Sequence, residues 1–134
     1  MIMQPDTPIF KELSRLLMEQ PDILLATVFG SVAAGTAGVD SDLDVAVLAD
    51  KPLAAIRKRQ LIEMLAKASG RPVDLVDLRT AGVLLLHSAL GGKRLVCRDN
   101  AIYASMLSRA LFDGADFLPY HERLLRERRN AWIS

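Results

Sequence analysis

Residues 23–48 read ILLATVFGSVAAGTAGVDSDLDVAVL, a segment in which two apolar runs flank a stretch rich in glycine, alanine and serine. Both runs have the length and the aliphatic content of buried strands. Between them, Gly30 and Ser31 are followed by ten residues and then by Asp42 and Asp44, which a single leucine separates. A small-residue turn after one strand, with alternating carboxylates on the next, is typical of a site that holds metal-bound phosphates.

Asp42 and Asp44 are predicted to project from the same face of the second strand, expected at about 42–48. Successive side chains of a strand point to opposite faces, so residues two apart share a face. Two neighbouring carboxylates in an apolar strand repel each other and lose solvation unless a cation lies between them. Oxygen ligands suit Mg²⁺, which retains waters and shares the phosphate oxygens of a substrate. The pair therefore predicts a magnesium site.

A third carboxylate is expected from residues 73–78, VDLVDL, which are predicted to form the third strand. Asp74 and Asp77 are three residues apart, so only one of them can face the first two carboxylates. Asp74 lies between apolar residues, where burial of a carboxylate requires a functional reason, whereas Asp77 lies near the strand end. On these grounds of burial we expect Asp74 to complete the site, with Asp77 as the alternative.

Strand and helix patterns alternate along the chain, which predicts an α/β (α+β) fold with a small mixed sheet of about four strands flanked by helices. Residues 1–134 are expected to form one domain, with a core at about 8–98 and a helical tail at about 100–132. The tail is predicted to contain two helices, the second beginning at Asp116. Thr80 is predicted to cap the helix before the fourth strand.

Composition and charge narrow the classes of function. The net charge of the 134 residues is +1, which gives no general attraction for polyanions, so direct nucleic-acid binding is not expected. The single cysteine, Cys97, excludes an internal disulfide and a cysteine-based zinc site. The sequence shows neither a signal peptide nor an apolar run long enough to cross a membrane. We therefore expect a cytoplasmic protein with no membrane partner.

The spacing of these residues resembles that of the polymerase-beta-type nucleotidyltransferase superfamily. The resemblance consists of Gly-Ser, ten residues, Asp-x-Asp and a third aspartate on a later strand, and it covers roughly Ile23 to Arg98. The small size and the VDLVDL strand are similar to its minimal branch, the MNT proteins. Those proteins are often antitoxins paired with a HEPN-domain ribonuclease toxin. The resemblance implies the polymerase-beta-like fold for this chain.

What the resemblance implies about activity is the transfer of AMP from ATP to a hydroxyl, which in the antitoxin branch is a tyrosine of the HEPN toxin. It implies two Mg²⁺ ions as cofactors, held by Asp42, Asp44 and Asp74, with Asp74 also serving as the general base. Gly30 would let the backbone approach the phosphates, and Ser31 with the following N–H groups would bind them. This chemistry agrees with the residues present.

Two other functions stay open at this stage. The first is a binding module, an antitoxin that neutralises its toxin by occlusion with an inactive nucleotide site. Three facing carboxylates favour the enzyme, because a pure binder has no need of them. The second is a transferase acting on a small molecule such as an aminoglycoside. The absence of a second domain to enclose such a substrate argues against it.

Overall fold

The centre of the fold is a mixed sheet of four strands in the computed structural model, which describes residues 8–38 and 41–117 and gives the backbone alone for 113–117. The strands are β1 (Ile23–Phe29), β2 (Leu43–Ala49), β3 (Val73–Asp77) and β4 (Lys93–Cys97). Their order in the sheet is β3-β2-β1-β4. β1 runs antiparallel to both β2 and β4, whereas β2 and β3 are parallel.

Helices cover both faces of this sheet. They are α1 (Pro8–Met18), α2 (Gly30–Ala34), α3 (Ala55–Ser69), α4 (Val83–Leu90) and α5 (Asn100–Phe117). Val45 and Val47 belong to the core shared with α1 and α3, whereas Ala46 and Leu48 belong to the core shared with α4 and α5. This alternation along β2 defines the α1/α3 face and the α4/α5 face of the sheet.

The parallel pairing of β2 with β3 depends on α3, because parallel neighbours need a long crossover connection. α3 buries Leu61 and Leu65 against the α1/α3 face. It ends at Gly70, whose φ of +69° is the left-handed conformation typical of a helix C-cap and whose N–H donates to the Ala66 carbonyl at 2.8 Å. The chain then returns to start β3 beside the start of β2.

The predicted small mixed sheet of about four strands flanked by helices is confirmed. The predicted helix boundary near Asp116 is wrong, because α5 continues through this residue to Phe117. The rest of the expected tail lies outside the described residues. The predicted cap at Thr80 is also wrong, since α4 begins at Val83 after Gly82, without a side-chain cap.

In residues 8–38 and 41–117, no helix combines the length and the apolar character needed to cross a membrane.

Candidate active site

Asp44 and Asp74 lie side by side on neighbouring strands. The parallel register of β2 and β3 pairs them directly, one residue after the pair Leu43 and Val73. Each alternates with residues of the α1/α3 core, so both carboxylates belong to the α4/α5 face. Residues 30 positions apart in the sequence are therefore joined by the crossover through α3.

Asp77 lies on the other face and has a different role. It pairs with Val47, which belongs to the α1/α3 core, and its Oδ1 accepts the backbone N–H of Arg79 at 2.9 Å. This bond closes the turn after β3. The expectation that Asp74 is the more buried of the two aspartates is wrong, because Asp74 is exposed and Asp77 is half-buried. The register, and not burial, supports the choice of Asp74.

Asp42 precedes β2, so its prediction as a strand residue is wrong. Its side chain is exposed, whereas that of Asp44 is half-buried. The pKa of Asp44 is raised above its ordinary value of 3.8, first by burial and then by the negative charges of Asp74 and Asp42. The ionised form of Asp44 is therefore opposed by burial and by its two acidic neighbours.

Gly30 begins α2 directly beside this carboxylate. Its φ is +75°, and a Cβ placed on it would overlap the Asp44 carboxylate, with the Cγ of Asp44 only 3.2 Å away. Glycine is required twice here, by the backbone conformation and by the contact. The next residue, Ser31, is half-buried, and its carbonyl accepts the N–H of Thr36 at 2.9 Å. The backbone at Gly30 thus lies against the Asp44 carboxylate, with no room for a side chain between them.

A cleft of about 440 Å³ opens beside Gly30, between α2 and the turn that joins α4 to β4. From the turn it is lined by Gly91, Gly92 and Lys93, together with Ser88. A Cβ at Gly92 would lie 2.8 Å from the Cβ of Phe29, so this glycine lets the turn press against the end of β1. Gly91 and Gly92 were not expected at the site, although a pair of glycines before a strand indicates a close approach of the backbone.

The donor set fits a divalent cation that is shared with a substrate. In the part of the chain that is described, no group of three or more His, Cys, Asp or Glu side chains could hold a metal ion by itself. Mg²⁺ does not need such a cage, because it is usually held by one or two carboxylates, waters and substrate phosphates. Asp44 and Asp74, with oxygen donors and excess negative charge, match that requirement.

Comparison with known proteins shows the family. Residues 11–101 match the family model described as polymerase beta, nucleotidyltransferase. The chain belongs to the polymerase beta nucleotidyltransferase family. The superfamily resemblance noted in the sequence is therefore confirmed. A curated relative, the protein adenylyltransferase MntA of Shewanella oneidensis, is 42% identical over 76 residues, which are 56% of this chain and 55% of the relative. The chain thus spans about half the length of that curated relative.

Several solved structures are similar to this protein over nearly the whole chain. A crystal structure of a toxin-antitoxin with AMP-PNP has a TM-score of 0.66 and 28% identity, covering 90% of this chain and 94% of that chain. A structure of the tri-AMPylated Shewanella oneidensis HEPN toxin in complex with MNT antitoxin has a TM-score of 0.59 and 28% identity, covering 92% of each chain. The MNT antitoxin of that complex represents the branch expected from the sequence.

Proposed function

We propose that this chain is a Mg²⁺-dependent nucleotidyltransferase that transfers AMP from ATP to a hydroxyl of a partner protein and thereby acts as an antitoxin. The observation that carries the proposal is the register that places Asp44 beside Asp74, on one face of the sheet and next to Gly30. The family supports the reaction class. The similarity to a structure with AMP-PNP supports ATP as the nucleotide.

We assign metal binding, phosphate contact and proton transfer to different residues of the site. Asp42, Asp44 and Asp74 would hold the magnesium, and Gly30 and Ser31 would contact the phosphates of the nucleotide from the start of α2. Bound magnesium would neutralise charge on the triphosphate and lower the pKa of the attacking hydroxyl. Asp74 is exposed at the start of β3 and would accept the proton of that hydroxyl. The acceptor oxygen then bonds to the α-phosphorus, and pyrophosphate leaves.

The partner we propose is a HEPN-domain toxin, with a tyrosine hydroxyl as the acceptor. Support comes from the complexes of similar chains with such toxins and from the adenylyltransferase relative. The exposed side chain of Asp74 also suits a macromolecular acceptor that supplies the missing wall of the site. A cytoplasmic location is part of the proposal, because ATP and the RNA that such toxins cleave are found there.

The test compares two aspartates of the same strand. The wild type, Asp74→Ala and Asp77→Ala are each incubated with the genomic HEPN partner, ATP and Mg²⁺, and the partner is weighed by mass spectrometry. We expect the wild type and Asp77→Ala to add AMP, because Asp77 lies on the opposite face of the sheet. Asp74→Ala should bind the partner equally well and add nothing.

Other outcomes separate the alternatives. If Asp74→Ala still neutralises the toxin as well as the wild type, occlusion is sufficient and the enzyme proposal fails. A wild type that binds tightly and modifies nothing leads to the same conclusion. Transfer of AMP to a small hydroxyl compound, with the partner untouched, would favour the small-molecule transferase instead.

A further inference from the structure

We propose that Arg71 is a positioning residue that fixes the backbone of Asp42 against the start of β3 and so sets the distance between Asp42 and Asp74. The inference rests on the proposed function, since it concerns the same carboxylates. Arg71 lies two residues before the start of β3 and three residues ahead of Asp74. Its Nη1 donates to the carbonyl of Gly38 at 2.9 Å and to the carbonyl of Ser41 at 3.0 Å.

The two acceptors of Arg71 are also hydrogen-bonded to each other. The N–H of Ser41 donates to the Gly38 carbonyl at 3.3 Å, and the N–H of Gly38 donates to the Ser41 hydroxyl oxygen at 2.9 Å. Because these bonds already hold Gly38 and Ser41 together, the Arg71 guanidinium binds the two residues as a pair. The point of attachment is the residue that immediately precedes Asp42.

Asp42 is therefore held from both sides by the same short segment. On one side, Ser41 is bound by the Arg71 side chain. On the other side, the N–H of Leu43 donates to the carbonyl of Pro72 at 2.8 Å. Since Arg71 and Pro72 lead into β3, the backbone of Asp42 and that of Asp74 are tied to a common anchor. The exposed Asp42 side chain thus starts from a fixed position although its residue lies outside the sheet.

The effect of Arg71 is on geometry. Both of its hydrogen bonds go to backbone carbonyls, so its removal would leave the three carboxylates unchanged while releasing Ser41, the residue before Asp42. Groups that orient metal ligands typically affect metal affinity by 10–100-fold. Loss of Arg71 should therefore weaken the metal-dependent part of nucleotide binding and spare the metal-independent part.

Titration calorimetry with AMP-PNP tests this inference. Its affinity is measured in Mg²⁺ and in chelator, and the ratio of the two affinities reports the metal-dependent part of binding. We expect Arg71→Met to lower this ratio about tenfold and to leave the affinity in chelator unchanged. Arg71→Lys, whose ammonium also donates to carbonyls, should restore most of the ratio. If Arg71→Met fails to fold, Arg71→Gln and Arg71→Lys are compared with the wild type in its place.

Arg98 provides the matched control. It donates to three backbone carbonyls, those of Ile23, Met18 and Gln20, away from the carboxylates. Arg98→Met should lower the melting temperature and leave the affinity ratio unchanged. The inference is overturned if Arg71→Met keeps the wild-type ratio, if it weakens binding equally with and without Mg²⁺, or if Arg98→Met lowers the ratio as much. A wild type that binds AMP-PNP equally in both buffers would contradict the proposed metal site as well.

Discussion

Gly30 and Asp44 show how a single backbone position controls the geometry of the site. The left-handed conformation at Gly30 turns the chain out of β1 and into α2. The absence of a side chain there leaves room for the Asp44 carboxylate. A residue with a Cβ would have to displace this carboxylate. Both the backbone turn and the position of the Asp44 carboxylate therefore require glycine here.

Alanine substitutions at Gly30 and Gly70 distinguish the effect of the positive φ from the effect of the contact with Asp44. Gly70→Ala should cost about 1–2 kcal/mol of unfolding free energy because of its positive φ, and Gly30→Ala should cost at least as much, because its Cβ also overlaps the Asp44 carboxylate. Only Gly30→Ala should also lose AMP transfer, since nothing lies within 4 Å of a Cβ at Gly70. Denaturant unfolding and a transfer assay on both variants check this. Equal activity of the two variants would show that the Gly30 contact is unimportant.

Asp44 should reduce the stability of the metal-free protein at neutral pH. Its pKa is raised in the folded state, so its proton is bound more tightly there, and stability is lost as the pH rises through that pKa. Asp44→Asn should therefore be as stable as the wild type or more stable at pH 7, and the difference should vanish below about pH 3.8. Thermal melts across this range in chelator measure the difference.

Asp50 offers a control for that experiment, because it is an exposed carboxylate just beyond the opposite end of β2. Asp50→Asn should leave the melting temperature close to that of the wild type. An Asp44→Asn protein that is clearly less stable than the wild type at pH 7 would mean that the carboxylate belongs to a structural network.

At the level of elements, α3 is fastened to the turn before β1 by a half-buried ion pair. Arg57 donates to both oxygens of Asp22, at 2.9 and 2.7 Å, and also to the side chain of Gln20 at 2.9 Å. The side chains of Arg57 and Asp22 are 27% and 29% exposed, so solvent screens the pair only in part. This contact holds the crossover helix on which the pairing of β2 with β3 depends.

Asp22→Asn should lower the free energy of unfolding by about 1 kcal/mol at pH 7. The Arg57 guanidinium lowers the pKa of Asp22 from its ordinary value of 3.8, so the stabilisation is present above that value and disappears as the pH falls through the lowered pKa. Denaturant titrations at several pH values test this. Glu12→Gln, at the exposed pair with Arg15, should change nothing measurable, and a pH-independent loss in Asp22→Asn would contradict the ion-pair explanation.

Helices and strands were predictable where the pattern of neighbouring residues alone indicates the type of element. The run from Ile23 to Phe29 is apolar except for Thr27 and forms a strand buried on both faces, as expected. The boundary near Asp116 was predicted because aspartate is a weak helix former and a favoured N-cap, but α5 continues through this position. At Thr80, the turn closed by Asp77 and Arg79 displaces the start of α4 to Val83.

At the level of the whole molecule, the site lies at the end of the sheet where β1 ends and the other three strands begin. The sequence indicated its parts through Gly30, Asp44 and Asp74. It could not indicate the strand order, the register that aligns Asp44 with Asp74, or the approach of Gly92 to β1, because these depend on packing between distant segments. For this reason Asp74 was expected on grounds of burial, whereas the register of β2 and β3 is what places it beside Asp44.

Binding of magnesium and nucleotide should stabilise the entire chain. A ligand that binds only the folded state adds about 2.7 kcal/mol at a concentration one hundred times its Kd. We expect AMP-PNP with Mg²⁺ to raise the melting temperature of the wild type, and to raise it far less in chelator, because the carboxylates then repel the triphosphate. Differential scanning calorimetry measures both shifts. Equal shifts in the two buffers would argue against a metal-dependent site.

The position of β3 at the edge of the sheet has a consequence for local unfolding. This strand of five residues pairs only with β2 in the described part of the chain, and its detachment would relieve the repulsion between Asp74 and Asp44. Short edge strands open at lower free energy than central ones. Local unfolding of β3 would therefore separate Asp74 from Asp44 while β1, β2 and β4 are still paired. A cation bound to both aspartates would hold β3 against β2 and slow the exchange of its amide hydrogens. Amide exchange in β3 would therefore report occupancy of the site before any change in the melting temperature of the whole protein.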